Sequence, residues 1–150
     1  MGLISFIKNA GAKVFGKGKE EKEEDRIALI KSHIERYGFL VDDLKVSVAG
    51  EKITIAGKVD TQAIKNKIVV AAGNIEGISE VDDQLEIKEA EVKEPEGRYY
   101  TVKKGDFLSK IAREMYGDAN KYPIIFEANK PMLKDPDLIY PGQVLVIPPL

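Results

Sequence analysis

The chain has 150 residues, 43% of them hydrophobic and 32% charged, enough for one ordinary domain or two small ones whose modest cores need mutual support. Its 23 Lys and Arg against 25 Asp and Glu leave a net charge of -2, which lacks the basic excess of a phosphate-backbone binder and argues against nucleic acid as a partner. With no Cys and one His, disulfides, thiol nucleophiles and thiolate zinc sites are excluded, and a reducing compartment is a natural home.

The opening "MGLISFIKNAG" holds five residues of largely apolar character before Lys8, too few for a signal-peptide core, and no basic region precedes them. Phe6 stands where a myristoylation signal needs Ser or Thr, so neither export nor a lipid anchor is expected. Leu3, Phe6, Ile7, Ala10 and Val14 recur at helical spacing, which predicts a short amphipathic helix that must dock on a neighbour and that breaks at Gly11. The charge runs "KGKEEKEED" at 17–25 and "KEAEVKEPEGR" at 88–98 read as solvated linkers. The first lacks the spaced ligands and sharp glycine turn of a calcium loop.

From 26 to 38, Ile27, Ile30, Ile34 and Tyr37 follow three- and four-residue steps up to Gly38, which predicts a helix. "LKVSVAGEKITIAGKV" then alternates on both sides of Gly50 and Glu51 and predicts a hairpin. Thr61 can cap a helix bearing Ile64, Ile68, Ala71 and Ala72 and ending at Gly73. A strand through Val81, Leu85 and Ile87 follows, with Asp83 out of pattern. Beyond the second charge run come the strand-like "YYTV" and a helix with Leu108, Ile111, Ala112 and Met115 that Asp106 can cap. A second helix runs from near Asn120 to Asn129, and the turn "YPGQ" leads into the strand "VLVIP".

Little of this carries reactive side-chain chemistry. His33 lies one residue off its helix's apolar stripe, with no second His, Cys or Ser in a catalytic arrangement, and reads as structural. The adjacent pairs Asp42 with Asp43 and Asp82 with Asp83 are poor acid and base couples, and no phosphate-binding loop occurs. The chain is expected not to be an enzyme.

The helix, strand, strand, helix, strand order over 26–90, with "AAGNIEGISEVDDQL" joining the second helix to the last strand, resembles the BON domain. The strand, helix, helix, strand order over 98–150, with "YTVKKGD", "LSKIA", "EANKP" and "YPGQVLVIP", resembles LysM, although Phe107 replaces that family's usual Thr. Together with the "FEANKPMLKDPDLIYPGQVL" and "VAAGNIEGI" blocks, this architecture resembles a family of bacterial cytoplasmic potassium-binding proteins.

The resemblance implies an α+β chain of two small domains. An N-terminal amphipathic segment and acidic linker (1–25) precede BON (26–90, αββαβ), a linker (91–97) and LysM (98–150, βααβ). It further implies a monomeric, cytoplasmic sensor or buffer with no membrane anchor, which binds potassium, or its neighbours rubidium and caesium, and becomes more compact. The ion would sit among main-chain carbonyls of Ile7, Ala10 and Ala12 from the N-terminal segment and of Gly73, Ile75 and Ile78 from the BON turn. Gly73 and Gly77 would supply backbone geometry that a Cβ hinders. Ala12 falls where a relative can carry Glu, a change that a carbonyl ligand tolerates. Independently of the resemblance, the helix-end carbonyls at Ala10 and at "GNIEGI" face outward as a cation would need, but the residues alone read first as ordinary C-caps satisfied by water or Schellman bonds; the carbonyls flanking Asn129 are a fallback. Two alternatives stay open: a LysM module for N-acetylglucosamine-containing peptidoglycan, and a BON protein attached to membranes through 1–16.

Overall fold

A computed structural model of the chain describes residues 2–7, 11, 23–88 and 98–149. Helix α1 (Glu23–Glu35) buries Ile30 and Ile34 completely. Strands β2 (Asp42–Ala49) and β3 (Lys52–Val59) form the expected hairpin, with Ala49 opposite Lys52 and Gly50 at φ +60° in the turn. Helix α2 (Gln62–Gly73) starts as predicted, the Thr61 hydroxyl accepting the Ile64 N–H at 3.2 Å. It is the crossover between β3 and β4 (Glu80–Ile87), which run parallel from Lys52 opposite Glu80 to Val59 opposite Ile87. Alternation turns Val46, Val48, Ile53, Ile55, Val81 and Leu85 to one buried face. Asp83 shares that face and is held there by the Leu85 N–H at 3.0 Å and by Lys65 at 3.6 Å. Burial still pushes its carboxyl above the ordinary value.

The N-terminal helix expectation is corrected over Gly2–Ser5. These residues form strand β1, antiparallel to β4, in a sheet ordered β1-β4-β3-β2. Without β1, the outer edge of β4 would present unpaired N–H and C=O groups, and a short segment gains ladder bonds there that an isolated helical turn could not match. Strand alternation then sends Phe6 into the core, 6% exposed, and leaves Leu3 and Ile7 half exposed. Val14 and the rest of the expected helix lie outside the described residues.

In the second domain, β5 (Arg98–Thr101) pairs antiparallel with β6 (Val144–Ile147), and α3 (Leu108–Tyr116), a 3-10 turn (Ala119–Lys121) and α4 (Tyr122–Ala128) lie between them. Asp106 does not cap α3 as expected. Phe107 holds the N-cap position without a side-chain bond, while the Asp106 carboxylate accepts the Lys103 N–H at 2.9 Å and the Tyr100 hydroxyl at 2.6 Å. A carboxylate one residue too early for the helix instead closes its own turn onto β5.

All four residues of β6 are buried because the strand stands between two cores. Leu145 and Ile147 face Leu108, Ile111, Ala112 and Ile125, while Val144 and Val146 belong to the apolar cluster of the first domain. Asn129 closes the strand's far edge: its amide donates to the Ile125 and Val146 carbonyls at 2.7 and 2.9 Å and accepts the Val146 N–H at 2.8 Å. Asn129→Ala therefore leaves buried donors and acceptors unpaired, and is expected to cost about 2–3 kcal/mol in a urea titration. A loss below about 0.5 kcal/mol would contradict that role.

Candidate functional site

Where α2 ends, Asn74 takes the C-cap position and its N–H bonds to the Val70 carbonyl at 2.9 Å. The chain then turns through Ile75–Glu76–Gly77–Ile78, closed by the Ile78 N–H on the Ile75 carbonyl at 3.1 Å, with Gly77 at φ +101° as its conformational hinge. The N–H groups of Ser79 and Glu80 both donate to the Glu51 carbonyl and fasten the turn to the hairpin. Among the described residues no hydrogen-bond donor pairs with the carbonyls of Gly73 and Ile78, although both residues are buried. Such orphaned acceptors at the negative end of a helix suit a cation.

The N-terminal segment meets this turn at two points. The Phe6 N–H donates to the Ser79 carbonyl at 2.8 Å, continuing the register in which Ser5 faces Glu80, and one further step sets Ile7 beside Ile78. The second point is Gly11, at φ +102°, where an added Cβ would lie 2.6 Å from both the carbonyl carbon and oxygen of Asn74. Backbone thus rests directly on the Asn74–Ile75 peptide. Of the six expected carbonyl residues, the structure brings Ile7, Gly73, Ile75 and Ile78 to this one end of the sheet, and Ala10 and Ala12 lie outside the described residues. Gly73 needs to be glycine for a different reason from the one expected. It is helical, and a Cβ there would overlap the ring of Phe6. Space, not torsion, is the constraint.

Among the described residues no group of three or more His, Asp or Glu side chains could hold a metal ion. Fixed neutral carbonyls match a large monovalent ion that exchanges its hydration shell for dipoles, whereas hard divalent ions favour carboxylates.

Sequence reasoning missed the polar residues that join this end to the second domain. The Asn74 side chain donates to the Val144 carbonyl at 2.8 Å and accepts the Val144 N–H at 2.9 Å. About two turns upstream, Asn66 accepts the Tyr99 hydroxyl at 3.3 Å and the Gln62 amide at 2.8 Å. A signal was present. Ile68 to Ala72 are apolar without interruption, which marks a helix covered on more than one side.

His33 is buried behind the site, 5% exposed, its Nδ1 3.3 Å from the Arg36 guanidinium. It lines a cavity of about 220 Å³ with Gly11, Tyr37, Asn74, Tyr140 and Gln143. Burial, reinforced by the Arg36 charge, holds the imidazole below its ordinary value of 6.5. The unfolded chain therefore takes up a proton below that value before the folded chain does, and stability falls as pH drops from 6.5 towards the lowered folded pKa. Urea midpoints between pH 7.5 and pH 5.5, as about the useful range, should show this decline, and His33→Gln should flatten it. Gly73→Ala should in turn release Phe6, seen as faster amide exchange over residues 2–7 while β3 stays protected.

The comparisons with known proteins agree with this architecture. The BON domain model matches residues 22–89 and the LysM domain model residues 100–148. A potassium binding protein, Kbp, from Escherichia coli O6:H1 is 45% identical over 151 residues, covering 99% of each chain. An uncharacterised protein of Deinococcus radiodurans is 34% identical over 144 residues, which is 89% of this chain and 56% of that one. A Mycobacterium tuberculosis esterase shares 49% identity over 53 residues, 35% of this chain but only 11% of the esterase. Full-length similarity at both ends, joined to the BON and LysM matches in this order, places the chain in the family of the potassium binding protein Kbp.

Proposed function

We propose that this chain binds one potassium ion through main-chain oxygens of Ile7, Ala10, Ala12, Gly73, Ile75 and Ile78. It acts as a non-enzymatic cytoplasmic sensor or buffer and becomes more compact when the ion binds. The observation that carries this reading is the seating of Gly11 on the Asn74–Ile75 peptide beside the carbonyls of Gly73 and Ile78, which have no donor among the described residues. The potassium binding of the Escherichia coli relative, whose whole length this chain matches, supports the same ion. Among the described residues no helix is long and apolar enough to cross a membrane.

Ligand binding to the native state adds RT ln(1 + [L]/Kd), about 2.7 kcal/mol at a hundredfold excess over Kd. Potassium should therefore raise the melting temperature well above that in equimolar sodium, and equal curves would overturn the proposal. Gly11→Ala should remove the potassium-dependent part of that shift, since its Cβ drives the N-terminal segment off the turn. Small-angle scattering with and without potassium reads the compaction directly.

A second reading, glycan binding by LysM, is favoured by a groove lined by Phe107, Leu108, Ser109, Tyr122, Pro136 and Asp137, with Phe107 65% exposed. Titration with chitooligosaccharides tests it. The two readings do not exclude each other.

A further inference from the structure

We infer that Asn74 is the positioning residue through which ion occupancy and LysM docking reinforce each other. The inference rests on the proposed potassium site and concerns how that site communicates. The Asn74 backbone lies between Gly73 and Ile75, and its own peptide bears the Gly11 contact, so any ligand that orders the carbonyls on both sides of it also orders its Cα. Its side chain has two rotatable bonds and spends both polar atoms on a single residue of the other domain, Val144, at 2.8 and 2.9 Å. That pair imitates a neighbouring strand: it satisfies the N–H and C=O that β6 turns away from β5. Thermodynamic reciprocity follows, because a fixed turn favours the docked strand and a docked strand favours the fixed turn.

An amide is required, since the group must donate to one atom of Val144 and accept from another, and a carboxylate only accepts. Asn74→Asp therefore separates coupling from proximity. Were Asn74 merely a neighbour of the ion, a new negative charge would tighten potassium binding; as the clamp, it loses a donor, repels the Val144 carbonyl and weakens binding.

The test uses the full chain as wild type, Asn74→Asp and Asn74→Ala, with potassium chloride calorimetry, small-angle scattering and amide exchange. Both variants should bind potassium at least about fivefold more weakly and should lose the potassium-induced compaction. In the wild type, the Val144 N–H reports the clamp without any mutation. It should exchange at least about fivefold more slowly in potassium than in sodium, while the Val102 N–H, bonded to Gln143 within LysM, serves as the internal reference. This measurement stands even if a variant fails to fold. Tighter binding by Asn74→Asp, unchanged affinity or compaction in either folded variant, or Val144 exchange that tracks Val102 in both salts overturns the inference. A wild type that ignores potassium overturns the proposed function and the inference together, which distinguishes the two failures.

Discussion

The outer edge of β6 is the constraint on which the domain arrangement turns. One edge of this strand pairs with β5; the other carries peptide groups that cannot be buried unpaired without a cost of about 1–3 kcal/mol each. Two asparagine side chains do what a third strand would do. Asn129 serves Val146 from within LysM, and Asn74 serves Val144 from across the domain boundary. Because Val144 and Val146 also enter the first domain's apolar cluster, the same two residues are held by hydrogen bonds in the strand plane and by packing out of it. LysM thereby docks by edge and face at once.

The other open edge, on β4, is closed by β1, and the two closures converge. Phe6 leaves β1 to lie over Gly73, Gly11 lies on Asn74, and Asn74 reaches Val144. A sheet end, a helix C-terminus and the second domain thus share a single peptide neighbourhood between Gly73 and Ile78. The physical reason is economy of polar groups. A helix C-terminus, a turn and two strand edges each leave carbonyls or N–H groups over, and bringing them together lets them satisfy one another.

Much of the fold was legible because its elements are locally consistent. The caps and glycines at Thr61, Gly50 and Gly73, and the two periodicities of α1 and the hairpin, all point to the elements that form. The N-terminal strand was not legible: Leu3, Phe6 and Ile7 fit a helical stripe, and what overrides it is the unpaired edge of β4, some eighty residues away in sequence. Asp106 shows the same limit on a smaller scale, since a residue suited to capping found a better partner in Tyr100. At the site, the turn "GNIEGI" was readable as a source of carbonyls. The role of the Asn74 side chain was not, because an asparagine at a helix end has an adequate local explanation and its partner lies 70 residues further on.

A site built from main-chain oxygens shifts selection away from ligand identity and onto whatever fixes the backbone. In the proposed site the backbone is shaped by Gly11 and Gly73, which make room for close approach, by Gly77, which bends the turn, and by Phe6, which fills the space that Gly73 leaves. None of these is a metal-binding residue type, and among the described residues no group of three or more His, Asp or Glu side chains could hold a metal ion. The neutrality of Asn74 belongs to the same logic. A carboxylate at that position would add a charged ligand beside the carbonyls, and charged oxygen sites favour the hard divalent ions over a large monovalent one. An amide holds the neighbouring domain with two hydrogen bonds while leaving the electrostatics of the turn to backbone dipoles. Docking strength then rests on the Asn74 side chain, while the proposed ion ligands are main-chain oxygens of the residues on either side of it.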